Sequence, residues 1–211
     1  MKKSVLITSL ILISITSFPQ QTSQQLIDKK VEKFFQTHGG WYDMNVPATD
    51  GKLLYNLILE NNYQQALEIG TSTGHSSIWM AWALSKTGGK LITIEIDESR
   101  HLEALNNFKE AGLDHLIDAR LANAHKLVPE LKGPFDFVFS DADKGWYQNY
   151  FESVDPRLKV GGCYTTHNVS DRAGVRWNRD YLKFLQGLTR YETTVNNSGG
   201  GLAISFKRAE K

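Results

Sequence analysis

A short glycine-containing stretch, Leu67–Ser76, has the residue types of a loop that holds a polar or anionic ligand. Gly70 and Gly74 permit a tight turn and a close approach of the backbone, and a helix that starts directly after them would direct free N–H groups at the ligand. Glu95 lies 21 residues after Gly74. A carboxylate at this position can accept hydrogen bonds from the two hydroxyls of a ribose. The spacing E-x-G-x-x-x-G differs from the G-x-G-x-x-G of dinucleotide binding, which disfavours a nicotinamide oxidoreductase.

A parallel sheet is the element that would position these residues, because ligands of such sheets bind outside the carboxyl ends of the strands. Five short apolar runs alternate with helical patterns, as in a parallel sheet with helices on both faces. The predicted strands are Ala66–Ile69, Leu91–Ile96, Ile117–Ala122, Phe135–Ser140 and Gly162–Thr166. The predicted helices are Leu26–Phe35, Asp50–Asn61, Ser76–Ser85, Glu98–Ala111, Ala124–Leu131, Trp146–Val154 and Arg176–Leu188. Two further strands, Tyr191–Val195 and Leu202–Phe206, flank a Gly/Asn-rich loop and predict an antiparallel hairpin.

Net charge, cysteine count and histidine spacing exclude several classes of protein. The chain has 211 residues and a formal net charge of +1, which argues against a nucleic-acid partner bound through its phosphates. Cys163 is the single cysteine, so an intrachain disulfide is excluded. The six histidines show no H-x-x-x-H spacing, and a dedicated histidine metal centre is not expected.

The pattern of residues at the amino terminus indicates a segment separate from the domain. Two lysines precede an apolar stretch that ends at Phe18, a pattern typical of a signal peptide or an uncleaved anchor. We therefore assign residues 1–20 to a signal or anchor and residues 21–211 to one domain. The two lysines are consistent with an anchor that leaves the domain on the cytoplasmic side.

Several motifs in order resemble the cation-dependent O-methyltransferases, the family that includes catechol and caffeoyl-CoA O-methyltransferases. They are Met44-Asn45-Val46, Leu67–Gly70, Leu91–Ile96, Asp141–Lys144 and His167–Val169. The likeness runs from about Trp41 to Phe206. It implies an α/β fold of the Rossmann-like class I methyltransferase type, whose sheet has seven mostly parallel strands and an antiparallel C-terminal hairpin.

The resemblance also implies S-adenosylmethionine (SAM) as the cofactor and a hydroxyl of a small, catechol-like aromatic compound as the acceptor. The implied cofactor-binding residues are Met44, Val46, Glu68, Gly70, Gly74, Ser76, Glu95, Ala124, His125, Asp141 and Asp143. Within this set, Glu95 corresponds to the ribose ligand, and Ala124 and His125 border the adenine. A homodimer and membrane association through the amino terminus stay open.

The implied reaction centre departs from the family at one position. Asp141 and Asn168 match the first and last of three cation ligands, and Lys144, one helical turn after Asp141, matches the general base. The middle ligand, an Asp in the family, is His167, which removes a carboxylate that a hard cation prefers, so a strict need for magnesium is not expected.

Three interpretations of His167 stay open. It could bind a softer ion such as manganese, iron or zinc together with Asp141 and Asn168. It could replace the metal as general base, since an unperturbed imidazole has a pKa of about 6.5. It could also be a hydrogen-bonded side chain without a catalytic role. The alternative to an O-methyltransferase is therefore a non-catalytic nucleoside-binding protein that has lost the metal site.

Overall fold

The computed structural model describes residues 22–41, 44–172 and 174–210. The predicted signal or anchor, residues 1–20, lies outside the described residues. The helices are α1 (Ser23–Thr37), α2 (Ala48–Asn61), α3 (His75–Thr87), α4 (Glu98–Ala111), α5 (Ala124–Glu130), α6 (Tyr147–Val154) and α7 (Arg176–Gln186). The strands are β1 (Gln65–Ile69), β2 (Lys90–Glu95), β3 (Ile117–Leu121), β4 (Phe135–Ser140), β5 (Leu158–His167), β6 (Tyr191–Asn196) and β7 (Leu202–Lys207). Short 3-10 turns lie at Asp114–Leu116, Lys144–Trp146 and Asp155–Arg157.

All seven predicted strands are present in one sheet, with the order β3-β2-β1-β4-β5-β7-β6. The first five strands are parallel, and β7 is antiparallel to both β5 and β6. The predicted fold class, a seven-stranded sheet with a C-terminal antiparallel hairpin and helices on both faces, is therefore confirmed. Since β1 connects to β2 on one side and pairs with β4 on the other, the order of strands reverses beside β1, and a ligand site is expected at that point.

Burial explains why the strands read as continuous apolar runs. Residues of β4 are buried along its whole length, as expected for a parallel strand covered on both faces. In β1, Leu67 and Ile69 pack in one core cluster, whereas Ala66 belongs to the cluster on the opposite face. The same alternation turns the carboxylate of Glu68 into the protein, where it is fully buried beneath α3.

Helix ends follow local capping chemistry. Asp97 accepts a hydrogen bond from the backbone N–H of Arg100 and begins α4, and Gly112 ends it in the left-handed conformation, as predicted. The first helix begins earlier than predicted, at Ser23 rather than Leu26. Its start is fixed by a capping box, in which the side chains of Thr22 and Gln25 each accept a hydrogen bond from the other residue's backbone N–H. These polar residues precede the apolar periodicity from which the helix was predicted.

None of the helices in residues 22–41, 44–172 and 174–210 combines the length and apolar character needed to cross a bilayer.

We expect Gly70→Ala to lower the free energy of unfolding by at least about 2 kcal/mol, because Gly70 has a φ of +100° and an added Cβ would lie 2.6 Å from the backbone oxygen of Asp141. Gly88→Ala is the matched control: its φ is +76°, but nothing lies within 4 Å of the added atom, so only about 1 kcal/mol should be lost. Urea unfolding of both variants measures the difference. Equal losses would show that the close approach of the loop after β4 is not a constraint.

Candidate active site

One cavity of about 490 Å³ opens at the carboxyl ends of β1, β2, β4 and β5, a volume within the range of small-molecule sites. Every predicted site residue lines it except Glu68 and Gly74. The cavity therefore brings together the glycine loop, the acidic residue that ends β2 and the polar residues that follow β4 and end β5. Gly70, Glu95 and His167 are far apart in the sequence but lie together here, because the carboxyl ends of parallel strands meet at one edge of the sheet.

The carboxylate of Glu95 is held by backbone groups. Its Oε2 accepts a hydrogen bond of 2.7 Å from the N–H of Ser72, and its Oε1 accepts bonds of 2.9 Å from the N–H groups of Ile96 and Asp97. These bonds join the loop after β1 to the end of β2 and fix the side chain at the cavity wall. A carboxylate has about four acceptor positions, so capacity for a ligand hydroxyl remains.

Glu68 lies behind the wall rather than on it. Its carboxylate accepts hydrogen bonds from the hydroxyls of Ser76, Ser77 and Thr93, two of them at 2.5 and 2.6 Å. Burial raises the pKa of Glu68 to about 7, although the three hydroxyl donors act in the opposite direction. Glu68 thus anchors the start of α3 to β1 and β2, and its direct contact with a cofactor stays a prediction, as does that of Gly74.

His75, inside the glycine loop, is a neutral structural residue. Its Nε2 lies 3.1 Å from the indole N–H of Trp79, which can only donate, so its Nδ1 carries the proton and donates to the carbonyl of Val46 at 2.8 Å. Burial lowers the pKa of His75 to about 4. The ring therefore ties α3 to the segment that carries Val46, one of the predicted cofactor contacts.

A flat aromatic wall lies on the side predicted to border the adenine. The imidazole of His125 stacks on Trp146 with ring centroids 3.7 Å apart and an interplanar angle of 9°. Asp143 Oδ2 lies 3.3 Å from His125 Nε2, and Asp143 Oδ1 accepts the N–H of Gly145, which shapes the 3-10 turn that begins at Lys144. Lys144 is exposed and lines the cavity.

A buried cluster of two carboxylates and one imidazole lies where β4 and β5 end. His167 Nε2 is 3.0 Å from Asp50 Oδ2, and His167 Nδ1 is 2.9 Å from Asp141 Oδ2. The second contact is an ion pair that lacks the alignment of a hydrogen bond. The hydroxyl of Tyr147 donates to the backbone oxygen of His167 at 3.1 Å. The His167 ring is thus held between two acidic side chains.

These acidic neighbours determine the charge of His167. Burial alone would lower its pKa, but the contacts with Asp141 and Asp50 outweigh burial and raise the pKa to about 9. Since the raised value belongs to the folded state, the imidazolium stabilises the fold fully below pH 6.5, and this stability is lost as the pH rises through about 9. The shift corresponds to about 3 kcal/mol.

The pH dependence can be measured as the difference in free energy of unfolding between the wild type and His167→Gln. We expect the difference to be largest near pH 6 and to shrink by about 3 kcal/mol toward pH 10, because glutamine cannot carry the charge. A difference that stays constant over this range would contradict the ion-pair cluster.

The predicted cation ligands do not fit a divalent ion in this arrangement. Both ring nitrogens of His167 face carboxylate oxygens, and Asp141 Oδ2 is engaged by that ring. A metal bound by His167 would need a lone pair of the imidazole, and both ring nitrogens are occupied by contacts with these carboxylates. In the part of the chain that the structure describes, no group of three or more His, Cys, Asp or Glu side chains is arranged to hold a metal. Asn168 lines the cavity beside this cluster.

Asp50 belongs to this cluster and was not among the predicted site residues. It is fully buried on the same side of α2 as Leu54, Leu57 and Ile58. The sequence places this carboxylate at helical spacing from three apolar residues, which predicts that it is buried. A buried charge requires a partner, so the pattern could have indicated a paired acidic residue. The residues of the cavity wall that were not predicted are Asn45, Thr71, Ser72, Ile94, Ile96, Arg100, Ala122, Asn123, Ala142 and Tyr150.

The strand order, with five parallel strands followed by an antiparallel hairpin, is that of the class I methyltransferase fold. A protein-family model described as O-methyltransferase matches residues 19–183. The chain therefore belongs to the O-methyltransferase family, and the prediction of this family and of a methyltransferase enzyme is confirmed.

Individual relatives agree with this assignment. The catechol O-methyltransferase of Niastella koreensis is 40% identical over 156 residues, which cover 72% of this chain and 70% of that protein. The caffeoyl-CoA O-methyltransferase of Medicago sativa is 34% identical over 186 residues, covering 78% and 75% of the two chains. The crystal structure of the O-methyltransferase TomG from Streptomyces achromogenes in complex with SAM has 28% identity and a TM-score of 0.71, covering 90% of this chain and 92% of that one.

Proposed function

We propose that this chain transfers the methyl group of SAM to a hydroxyl of a small, catechol-like aromatic acceptor. The observation that carries the proposal is the single cavity that joins Glu95 to Asp141, Lys144 and His167. A nucleoside held at Glu95 and a hydroxyl near Asp141 would thus share one space. The acceptor class is taken from the catechol O-methyltransferase of Niastella koreensis, to which this chain is similar.

Cofactor binding uses the loops after β1, β2 and β3. Glu95 accepts the ribose hydroxyls, and the free N–H groups at the start of α3 together with Ser76 face the amino-acid end. His125, stacked on Trp146, lies against the adenine beside Ala124. Met44 and Val46 line the same cavity and cover the cofactor from the segment before α2.

The transfer is a direct displacement. The acceptor oxygen forms a bond to the methyl carbon, the bond between that carbon and the sulfonium sulfur breaks, and its electron pair stays on sulfur to give the neutral thioether S-adenosylhomocysteine. The hydroxyl proton passes to the amine of Lys144, the predicted general base, and then to solvent. Most of the rate enhancement comes from alignment of the two reactants, because the methyl group is already activated.

No divalent cation takes part in this scheme, since the donor set at Asp141, His167 and Asn168 does not fit one. The interpretation in which these residues bind manganese, iron or zinc would require the His167 ring to leave one of its two carboxylates. The interpretation in which His167 is the general base would require a free ring nitrogen, which the same contacts do not provide.

The proposal is tested by incubating purified protein with SAM and a panel of catechols and other phenols. We expect O-methylated product and S-adenosylhomocysteine in equal amounts, detected by mass spectrometry. SAM binding by calorimetry without product across the panel would favour the non-catalytic nucleoside-binding alternative. Binding of reduced nicotinamide cofactor in place of SAM would contradict the proposal.

We further propose that residues 1–20 anchor the protein in a membrane with the domain on the cytoplasmic side, where SAM is made. Fractionation with amino-terminal sequencing tests this proposal: an intact amino terminus in the membrane fraction is expected, and a processed, exported protein would contradict it.

Light scattering of the purified protein tests the homodimer that the resemblance leaves open.

A further inference from the structure

The buried cluster at the ends of β4 and β5 is assembled from three distant parts of the chain. Asp50 comes from α2, Asp141 follows β4 and His167 ends β5. Asp50 is 0% exposed and His167 is 5% exposed. Burying two carboxylates is unfavourable unless each has a partner, and the imidazole between them supplies a contact of 3.0 Å to one and 2.9 Å to the other.

The loop between β6 and β7 is built around the Asp50–His167 pair. The backbone N–H of Gly200 donates to Asp50 Oδ2 at 2.7 Å. An added Cβ at Gly199 would lie 2.2 Å from Asp50 Oδ1, and one at Gly200 would lie 2.5 Å from His167 Nε2. The glycine run that the sequence indicated only as a hairpin loop therefore closes over this pair and leaves no room for an ion on that side.

Asp141 is the member of the cluster that connects it to the cavity. It is less buried than the other two, and it lines the cavity wall. Its Oδ2 faces His167, while among the described residues the hydrogen-bonding contact of its Oδ1 is a long one, 3.4 Å from the hydroxyl of Tyr147. Oδ1 is thus available to accept a hydrogen bond from an acceptor hydroxyl that enters the cavity.

We propose that Asp50 and His167 are positioning residues that hold the Asp141 carboxylate against the acceptor hydroxyl, and that methyl transfer proceeds without a divalent cation on these residues. The inference rests on the proposed function. In this arrangement Asp141 Oδ1 accepts a hydrogen bond from the catechol hydroxyl next to the reacting one, which directs the reacting hydroxyl toward the methyl group. Lys144 takes the proton of the reacting hydroxyl. His167 acts only through Asp141, and Asp50 acts only through His167.

The first test measures manganese binding by electron paramagnetic resonance, which needs no turnover. Wild-type protein with SAM is expected to leave added Mn²⁺ free in solution. The double variant Asp50→Asn/His167→Asp restores an Asp-Asn pair after β5 without placing three carboxylates together, and we expect it to bind about one Mn²⁺. Asp50→Asn alone is the matched control and is expected to leave the ion free.

Bound Mn²⁺ in the wild type would overturn the inference. Absence of bound Mn²⁺ from the folded double variant would overturn the claim that His167 is what excludes the cation. Because this test is independent of the acceptor, it decides the inference even where the phenol panel yields no product and the proposed function fails.

The second test follows methyl transfer. We expect the wild-type rate to change less than twofold when divalent ions are removed by a chelator or added back. For Asp50→Asn we expect kcat to fall on the order of 10- to 100-fold while SAM affinity is unchanged, because the Asp141 carboxylate is less well placed. Loss of wild-type activity on chelation with recovery on addition of Mg²⁺ or Mn²⁺ would overturn the inference. An unchanged kcat in Asp50→Asn would overturn the positioning role.

Discussion

Lys144→Met is expected to lower kcat by on the order of 10²- to 10⁴-fold, the range over which a general base contributes to catalysis. Methionine keeps a similar chain length but cannot accept the proton of the acceptor hydroxyl. SAM affinity should change less than about threefold, because Lys144 is exposed at the rim of the cavity and the cofactor is held elsewhere. Steady-state assays with a fixed phenol, paired with calorimetry for SAM, measure both quantities.

Two further variants make this result specific. Lys144→Arg keeps the positive charge, but a guanidinium cannot be deprotonated in a protein, so we expect it to be as inactive as the methionine variant. Lys126→Met, on the exposed surface of α5 and outside the cavity wall, is the matched control and should retain full activity. Activity near the wild-type level in Lys144→Arg would show that Lys144 acts through its charge and is not the base.

Glu95→Ala is expected to weaken SAM binding by on the order of 100-fold. Hydrogen bonds to a charged group contribute about 1.5–3 kcal/mol each, and the variant loses the ribose contact together with the acceptor for the N–H of Ser72. Glu95→Gln keeps the shape and one acceptor oxygen, so we expect an intermediate loss. Calorimetric titration with SAM measures both, and Glu98→Ala, an exposed change in the first turn of α4, is the control. Unchanged affinity in Glu95→Ala would remove Glu95 from the cofactor site.

Much of the fold was predictable because its signals are local or periodic. Strands such as Phe135–Ser140 are apolar on both faces, which is typical of a central parallel strand. The spacing of Gly70, Gly74 and Glu95 matches the connection from β1 to β2, in which the two glycines lie between β1 and α3 and Glu95 ends β2. The end of α4 at Gly112 was also readable, since a left-handed C-cap favours glycine.

The setting of His167 was not predictable in the same way. The sequence identifies an imidazole where the family has a carboxylate, but its partner Asp50 lies 117 residues away in a helix predicted only for its apolar face. Gly199 and Gly200 cover the Asp50–His167 pair because of the way the β6–β7 hairpin packs against α2. Likewise, the hydrogen bonds that Glu68 accepts from the hydroxyls of Ser76, Ser77 and Thr93 depend on the three-dimensional arrangement of β1, β2 and α3.

A crystal structure of the protein with S-adenosylhomocysteine bound tests the central claim most directly. We expect the nucleoside in the cavity at the ends of β1 and β2, with both ribose hydroxyls within hydrogen-bonding distance of Glu95 and the sulfur directed toward Asp141 and Lys144. A nucleoside bound elsewhere, or with its sulfur directed away from these two residues, would contradict the account.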